Sequence, residues 1–248
     1  MANAFSLSEK KILITGASSG IGLASADLFS KSGASLFLNG RNQNRLKAAA
    51  AMCSGPALAL PSDISNLTGV RELVDSIDSP LDGIFMCAGI TINSLIKFSN
   101  ESDIEKIFDT NCFSAMRILR ELITAKKLKR GASIVITASV AGVLANPGHF
   151  LYGSSKAALI EFAKEAAVEL APRKIRVNTI SPGLVDTPMT AEFINSEPEL
   201  CAADKRKYLL GYGEACDVAY AAQYLLSDAS RWVTGTNLII DGGYTCHK

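Results

Sequence analysis

Tyr152 and Lys156 are the pair of side chains in this sequence best suited to acid–base chemistry. They lie four residues apart at the start of a helical pattern, which places them on one face of a helix. A tyrosine hydroxyl ordinarily titrates at about 10, too high for efficient proton transfer at neutral pH, and a neighbouring ammonium lowers that pKa. The spacing therefore predicts a proton-transfer pair, although a surface pair of the same spacing also arises by chance.

Two further polar residues could complete such a site. Ser139 follows the apolar run 133–138, which predicts a strand, and ligands of parallel α/β sheets bind at the carboxyl ends of the strands. A serine hydroxyl there can hydrogen-bond a substrate oxygen. Asn111 stands in the middle of a predicted helix among apolar neighbours, where a buried amide needs hydrogen-bond partners. An exposed or capping asparagine is the alternative interpretation.

A glycine-rich turn links the first predicted strand to the first predicted helix. Gly16, Gly20 and Gly22 follow the apolar run 11–15 in the spacing GxxxGxG. Glycines let the backbone turn tightly and approach a phosphate closely, and the start of a helix presents free N–H groups and the positive end of its dipole. The position of the turn favours a dinucleotide pyrophosphate site over a tight turn without a ligand.

The end of the second predicted strand bears on which dinucleotide binds. Gly40 supplies no carboxylate for the ribose 2′-hydroxyl of NAD, and Arg41 beside it suits the 2′-phosphate of NADP, with Arg45 one turn further on. These residues predict NADP(H), with NAD(H) less favoured; Arg41 as a mere helix cap is the alternative. Asp63, after the third predicted strand, could meet the adenine or cap the next helix with Ser65.

Alternating strand and helix patterns must position these residues. Continuous apolar runs predict a parallel sheet covered on both faces, and their alternation with helices predicts right-handed crossovers. The fold class is therefore α/β: one domain over residues 1–248 with a doubly wound parallel sheet of about seven strands and helices on both faces. The predicted strands are 11–15, 35–39, 57–61, 83–87, 133–138, 175–180 and 237–240. The predicted helices are 20–32, 43–52, 67–77, 101–128 (with Gly131 as its stop), 152–170 and 214–227.

Segment 187–213 interrupts this alternation. It is long, mixed in polarity and contains Pro188 and Pro198. An insertion of this length in a compact domain is often a lid or a binding loop, so we expect it to be the substrate-binding loop.

Composition and charge exclude several classes of protein. Of the 248 residues 48% are apolar and 20% charged, with a net charge of +1, which gives no basis for a nucleic-acid partner. No apolar run reaches the roughly 18–20 residues that span a bilayer, and the first residues lack the apolar core of a signal peptide. The six cysteines form no metal-ligand spacing, so we expect no metal and a cytoplasmic protein with reduced, mostly buried thiols.

The order of these motifs resembles the short-chain dehydrogenases/reductases over nearly the whole chain, and in particular their 3-oxoacyl-acyl-carrier-protein reductases. The matching elements are Thr15 to Gly22, Asp63, Ala88-Gly89, Asn111, Ser139, Tyr152 to Lys156, Asn178, Pro182-Gly183 and the ending from Val233 to Gly243. The resemblance implies a Rossmann-type domain. It also implies a homotetramer in which the helices of Tyr152 and Glu101 pair across a dimer and the C-terminal segment builds the tetramer.

The resemblance implies a role for each matching residue. Tyr152 would be the acid in reduction and the base in oxidation, Lys156 would lower its pKa and bind the nicotinamide ribose, and Ser139 would polarise the substrate carbonyl. Asn111 would hold a water that links Lys156 to solvent. The residues expected to bind the dinucleotide are Gly16, Ser18, Ser19, Gly20, Ile21, Gly22, Arg41, Asp63, Ile64, Cys87, Ala88, Gly89, Tyr152, Lys156, Pro182, Gly183, Val185 and Thr187.

Three departures from the family pattern stand out. Met86-Cys87 replaces an Asn-Asn pair, which removes an amide that would brace the sheet. Ser19 stands where many NADP-preferring members carry an arginine, so the NADP prediction rests on Arg41. The stretch 209–214 lacks the Pro-x-x-Arg that usually precedes the last long helix.

We therefore predict an NADP(H)-dependent oxidoreductase that interconverts a ketone and a secondary alcohol, and within that class a 3-oxoacyl-thioester reductase. A sugar or secondary-alcohol dehydrogenase using the same site is the first alternative. A catalytically silent dinucleotide-binding sensor or scaffold is the second. His149, three residues before Tyr152, could contact the substrate or be a loop histidine with no chemical part.

Overall fold

Strands and helices alternate along the chain as the sequence patterns predict, in a computed structural model that describes residues 3–196 and 198–246. The strands are β1 (Lys11–Thr15), β2 (Ser35–Gly40), β3 (Ala57–Pro61), β4 (Leu81–Met86), β5 (Leu128–Thr137), β6 (Arg176–Pro182), β7 (Val185–Asp186), β8 (Gly213–Glu214) and β9 (Asn237–Ile240). The helices are α1 (Gly20–Lys31), α2 (Gln43–Met52), α3 (Leu67–Asp75), α4 (Glu101–Phe108), α5 (Ser114–Thr124), α6 (Phe150–Leu170), α7 (Ala191–Ser196), α8 (Pro198–Lys205) and α9 (Ala215–Leu226).

A single parallel sheet carries seven of these strands in the order β3-β2-β1-β4-β5-β6-β9. The chain starts in the middle at β1, winds outward to β3, and then returns to build the other half from β4. The strand order reverses between β1 and β4, which opens a crevice at the carboxyl ends of the strands. The predicted fold class, a doubly wound Rossmann-type domain, is confirmed.

Successive strand residues pack alternately into two apolar cores, one on each face of the sheet. Leu13 belongs to the core that α3, α5 and α6 cover, whereas Ile12 and Ile14 belong to the core under α1, α2 and α9. Both faces of β1 are therefore buried, which is why its sequence is a continuous apolar run.

The predicted helix 101–128 is wrong in two respects. A π-helical turn, Asp109–Phe113, separates α4 from α5, and α5 ends at Thr124. Lys126 adopts the left-handed conformation (φ 55°) and Lys127 N–H bonds back to the carbonyl of Leu122, so the helix ends there without glycine. Gly131 is no helix stop, because it lies within β5, where the register against β4 shifts.

Segment 187–213 is a closed excursion from the sheet rather than an irregular loop. It contains α7 and α8, and only residue 197 within it lies outside the described residues. The strands flanking it, β7 and β8, pair with each other, Val185 opposite Gly213. The pairing of β7 with β8 therefore holds the two ends of segment 187–213 side by side, next to the carboxyl end of β6.

The expectation of mostly buried thiols is wrong. All six cysteines are free, and only Cys112 is fully buried, while Cys246 is exposed and the other four are intermediate. Among the described residues, none of the helices has both the length and the apolar character required for crossing a membrane.

Candidate active site

A cavity of about 550 Å³ lies at the carboxyl ends of β1 to β4, where the strand order reverses. Its walls come from the glycine-rich turn, the start of α2, the segment after β3 and the segment after β4. Thirteen of the predicted dinucleotide residues line it: Gly16, Ser18, Ser19, Gly20, Ile21, Gly22, Arg41, Asp63, Ile64, Cys87, Ala88, Gly89 and Thr187.

The glycine-rich turn leaves no room for side chains. Gly16 has φ 69°, and a Cβ there would lie 2.9 Å from the backbone nitrogen of Ala88. A Cβ on Gly22 would overlap the carbonyl oxygen of Gly16. Ser19 makes no side-chain capping bond and the first turn of α1 holds no acid, so that helix start is open to an anion. The turn thus fits a dinucleotide pyrophosphate.

Three cationic side chains line the same cavity. Arg41 and Arg45 are exposed, and within residues 3–196 and 198–246 neither guanidinium has an ion-pair or hydrogen-bond partner. Lys106 approaches from α4 and was missed in the sequence. The sequence feature that could have predicted this contact is a row of polar residues along α4 and the turn after it, since Asp109 and Thr110 also line the cavity. The positive charge around this cavity suits a ligand with more than one phosphate.

Asp63 lines the cavity and does not cap the following helix. Its carboxylate accepts the N–H of Ser65 at 3.1 Å, while the cap of α3 is Asn66, whose side chain accepts the N–H of Gly69. The alternative in which Asp63 and Ser65 cap that helix is therefore wrong. The acid of the adjoining wall, Asp109, is neutralised by an ion pair with Arg117 at 2.8 Å.

A second cavity, of about 110 Å³, adjoins the first and holds the predicted catalytic side chains. Ser139, Tyr152 and Lys156 line it together. The remaining predicted dinucleotide residues, Pro182, Gly183 and Val185, also line this cavity. The two cavities form one cleft, because they share the residues Ile21, Cys87, Gly89, Thr187 and Met189.

Tyr152 is half-buried and lines the second cavity beside Ser139 and Lys156. Burial raises the pKa of its hydroxyl, and a hydrogen bond with Ser139 opposes that rise. The ammonium of Lys156 lies 5.7 Å from the centroid of the Tyr152 ring, and its Nζ donates to the carbonyl of Thr137 at 2.8 Å. Burial of the hydroxyl thus favours its protonated form.

Lys156 is only 4% exposed. Burial lowers its pKa to about 8, and the nearby thiols of Cys87 and Cys112 oppose that shift. The carbonyl of Thr137, which the sequence did not single out, is its hydrogen-bond acceptor. Among the described residues no carboxylate pairs with this ammonium, so its remaining N–H groups can bind a polar ligand in the cleft.

Asn111 lies in the π-helical turn between α4 and α5 and is 2% exposed. Its Oδ1 accepts the N–H of Ile90 at 2.8 Å, and its Nδ2 donates to the carbonyl of Ile90 and to Oγ of Ser155. A Cβ on Gly89 would lie 3.3 Å from that Oδ1 and 3.4 Å from Nζ of Lys156. The side chain thus joins the segment after β4 to α6 beside the ammonium, in the kind of turn that is frequent at functional sites.

Ser139 lies two residues beyond the end of β5, not at its last position, and begins a 3-10 turn over Val140–Gly142. Its Oγ accepts the N–H of Ala141 at 3.2 Å. A Cβ on Gly142 would lie 2.9 Å from the backbone of α6 at Ala157. This close packing of the turn on α6 holds Ser139 opposite Tyr152.

The sheet is braced at Met86-Cys87 without side-chain amides. Oγ1 of Thr15, at the end of β1, accepts the N–H groups of Cys87 and Ala88 at 3.1 and 3.2 Å. Burial raises the pKa of the Cys87 thiol to about 11, so it stays neutral in the cleft.

The last long helix begins without the Pro-x-x-Arg motif that usually precedes it. Glu214 and Asp217 form a capping box at the start of α9 instead.

Comparison with known proteins agrees with this geometry. The family model described as Enoyl-(Acyl carrier protein) reductase matches residues 16–245. A 3-oxoacyl-(acyl-carrier-protein) reductase of Rickettsia prowazekii is 36% identical over 242 residues, 96% of this chain and 97% of that protein. A cyclopentanol dehydrogenase of Comamonas testosteroni is 31% identical over 248 residues, 97% of this chain and 99% of that protein. The solved structure of a Mycobacterium marinum short-chain type dehydrogenase/reductase superposes with a TM-score of 0.88 at 32% identity and covers 98% of each chain.

Proposed function

This chain belongs to the short-chain dehydrogenase/reductase family of NAD(P)-binding enzymes, and from that premise we propose that it reduces a ketone to a secondary alcohol with NADPH. The convergence of Ser139, Tyr152 and Lys156 in one cavity, joined to a larger cavity built for a dinucleotide, carries the proposal. Within that class we propose a 3-oxoacyl thioester as the substrate, which the similarity to a 3-oxoacyl-(acyl-carrier-protein) reductase supports.

Tyr152 donates the proton in this proposal. The hydroxyl would give its proton to the carbonyl oxygen as negative charge develops there, and the ammonium of Lys156 in the same cavity would favour that transfer. The hydroxyl of Ser139 hydrogen-bonds the same oxygen and polarises the carbonyl.

Lys156 and Asn111 support that proton transfer. The ammonium of Lys156 would bind the nicotinamide ribose hydroxyls and stabilise the tyrosinate left after donation. Asn111 would hold a water between Lys156 and solvent, so that the proton is replaced. When bound, the nicotinamide ring supplies the hydride, and the protein supplies position and electrostatics.

The dinucleotide would occupy the larger cavity. Gly16, Gly20 and Gly22 would hold the pyrophosphate, Asp63 the adenine, and Arg41 the 2′-phosphate. Ser18, Ser19, Ile21, Ile64, Cys87, Ala88 and Gly89 would complete the adenosine and diphosphate walls, and Pro182, Gly183, Val185 and Thr187 the nicotinamide side. Segment 187–213 would close over the substrate, since Met189 lines both cavities.

Arg41→Ala should change the preference between dinucleotides. We expect the KM for NADPH to rise about ten- to a hundredfold, because charge-assisted hydrogen bonds to the 2′-phosphate are lost, while the KM for NADH changes little. Steady-state kinetics with both nucleotides measure this. Lys47→Ala removes a neighbouring exposed charge of α2 that does not line the cavity, and it serves as the control. Equal weakening of NADPH and NADH by Arg41→Ala would mean that Arg41 does not read the phosphate.

A secondary-alcohol dehydrogenase is the second candidate function, because a cyclopentanol dehydrogenase is among the relatives. A silent binding protein is disfavoured by the complete set of Ser139, Tyr152, Lys156 and Asn111. A panel of 3-oxoesters, 3-oxoacyl thioesters and simple ketones with NADPH, and of alcohols and polyols with NADP, tests the proposal. Preferential turnover of the 3-oxo compounds supports it, whereas turnover of alcohols alone supports the second candidate.

We propose that four chains assemble into a closed homotetramer. Large apolar side chains stand exposed on α6 and before β9, where Val168 is 75% and Trp232 91% exposed. Burial of these side chains against other copies would stabilise an assembly. Light scattering should therefore give the mass of four chains, and a stable monomer would rule the assembly out.

A further inference from the structure

Lys106 offers an ammonium to whatever fills the larger cavity. It lies near the end of α4, is exposed, and lines the cavity together with Asp109 and Thr110. Within residues 3–196 and 198–246 its ammonium makes neither an ion pair nor a side-chain hydrogen bond. A ligand in the cavity can therefore reach a positive charge that no group of the protein occupies.

Asp109 is placed where it could occupy that ammonium. It follows Lys106 by three residues, and its backbone is still helical (φ −59°, ψ −45°), with its N–H bonded to the carbonyl of Lys106. Residues three apart on a helix are neighbours, and an acid and a lysine at that spacing attract each other. An ion pair between them would leave this wall with no charge to offer to an anion.

Arg117 of α5 holds the carboxylate of Asp109 instead. Its Nη1 lies 2.8 Å from Oδ1 of Asp109 and also donates to the carbonyl of Ser65 at 2.8 Å. The guanidinium carbon lies 5.5 Å from the centroid of the Phe113 ring. These contacts fix the guanidinium, whereas the ammonium of Lys106 ends a flexible chain, so Arg117 is the stronger competitor for the carboxylate.

The position of Arg117 decides which charge this wall presents. Lys106 and Asp109 line the cavity, whereas Arg117 is not among the lining residues. Asp103, the other acid three residues from Lys106, also lies outside the lining, and no ion pair joins the two in the described part of the chain. With Asp109 neutralised by Arg117, the charge left to face a ligand is the ammonium of Lys106.

This ammonium comes to the cavity from a different element than the two arginines do. Arg41 and Arg45 follow β2, whereas α4 follows β4, and these two strands flank β1 in the sheet. A nicotinamide dinucleotide carries a diphosphate, and NADP adds a 2′-phosphate. Phosphate oxygens form strong charge-assisted hydrogen bonds with an ammonium.

We propose that Lys106 binds a phosphate group of the dinucleotide, and that Arg117 is a positioning residue that keeps the Lys106 ammonium available by holding Asp109. The inference rests on the proposed dinucleotide site and adds one binding residue from α4 and one supporting residue from α5. The phosphate belongs either to the diphosphate, which NADPH and NADH share, or to the 2′-phosphate of NADPH, and titration with both nucleotides distinguishes the two.

Lys106→Met tests the contact by equilibrium binding, which requires no turnover. Calorimetric titration at low ionic strength should show the dissociation constant for NADPH raised about five- to thirtyfold, because a charge-assisted hydrogen bond at an exposed site is lost. An equal loss for NADH assigns the contact to the diphosphate, and an unchanged NADH constant assigns it to the 2′-phosphate. Lys97→Met is the control: it removes an exposed ammonium outside both cavities and should change either constant less than about twofold.

Two further variants test Arg117. Arg117→Gln keeps a donor for the carbonyl of Ser65 but releases Asp109 to pair with Lys106, so the dissociation constant for NADPH should rise about three- to tenfold. Adding Asp109→Asn removes the competing carboxylate and should restore binding to within about twofold of wild type. A merely structural role of Arg117 would not allow that rescue. Arg120→Gln removes an exposed guanidinium of the same helix outside both cavities and is the matched control.

The opposing results separate this inference from the proposed function. A Lys106→Met protein that binds NADPH as tightly as the wild type overturns the inference while the proposed function stands. Unchanged binding in Arg117→Gln, or a loss that Asp109→Asn does not repair, overturns the role of Arg117. If the wild type binds the nucleotides but reduces no ketone, the proposed function fails and these dissociation constants still decide the inference. A wild type that binds neither nucleotide overturns both.

Discussion

Tyr152→Phe is expected to lower kcat for ketone reduction about a thousandfold, the range that a lost general acid produces. The substitution removes the hydroxyl that contacts Ser139 and keeps the ring that packs between Lys156 and His149. The dissociation constant for NADPH should therefore change less than about threefold, because the ring does not form the phosphate cradle. Steady-state kinetics and fluorescence titration measure the two quantities.

Tyr220→Phe provides the matched control, since Tyr220 is an exposed tyrosine of α9 outside both cavities. It should retain essentially full activity. If Tyr152→Phe kept more than about a tenth of wild-type kcat, the rate gained from proton donation by the Tyr152 hydroxyl would be too small for this residue to be the general acid of the site.

Lys156→Met is expected to abolish most activity and yet stabilise the protein without dinucleotide. The pKa of about 8, against an ordinary 10.5, means that the buried ammonium destabilises the folded state by roughly 3 kcal/mol at pH 7. Methionine removes that charge, at the cost of the hydrogen bond to Thr137. The free energy of unfolding in urea should rise by about 1–3 kcal/mol, while kcat falls at least a hundredfold.

The stability difference between wild type and Lys156→Met should depend on pH. Between pH 8 and about pH 10.5 the Lys156 ammonium loses its proton in the folded protein but keeps it in the unfolded chain. Because the unfolded state then binds more protons, the free energy of unfolding of the wild type rises with pH over this range. The advantage of the variant is therefore complete below pH 8 and disappears toward pH 10.5.

The matched control for that substitution is Lys164→Met on the same helix. Lys164 is exposed and, within the part of the chain that the structure describes, pairs only with Glu161, so its loss should change stability by less than about 1 kcal/mol at any pH. A Lys156→Met variant that is less stable than wild type at pH 7 would show that the ammonium is well solvated or paired in the folded protein.

Sequence patterns were sufficient where local physics decides the outcome. The apolar run at β1 predicts a strand buried on both faces, and the glycine spacing after it predicts a turn whose side-chain positions are filled by neighbouring backbone. Ser139 follows a predicted strand, and ligands bind at strand ends in parallel sheets, whereas its grouping with Tyr152 was implied by the family resemblance.

The features that sequence did not predict depend on distant contacts. One additional backbone residue in the π-helical turn at Asn111 does not alter the apolar periodicity of α4 and α5, so the helix was predicted to be continuous. Leu128 could extend a helix, but its pairing with Leu81 places it in β5. Burial raises the pKa of Tyr152, and Lys156 donates to the carbonyl of Thr137; spacing along one helix reveals neither.

Deuterium transfer tests the central claim, that this cleft reduces a ketone with NADPH, most directly. The protein is incubated with NADPH deuterated on the transferred position of the nicotinamide C4 and with a 3-oxoester, and the product is analysed by mass spectrometry and chiral chromatography. The account predicts one deuterium on the carbinol carbon of a single alcohol enantiomer, with one NADPH consumed per alcohol. Tight binding of NADPH with no deuterated alcohol from any ketone would contradict it and indicate a dinucleotide-binding protein without this activity.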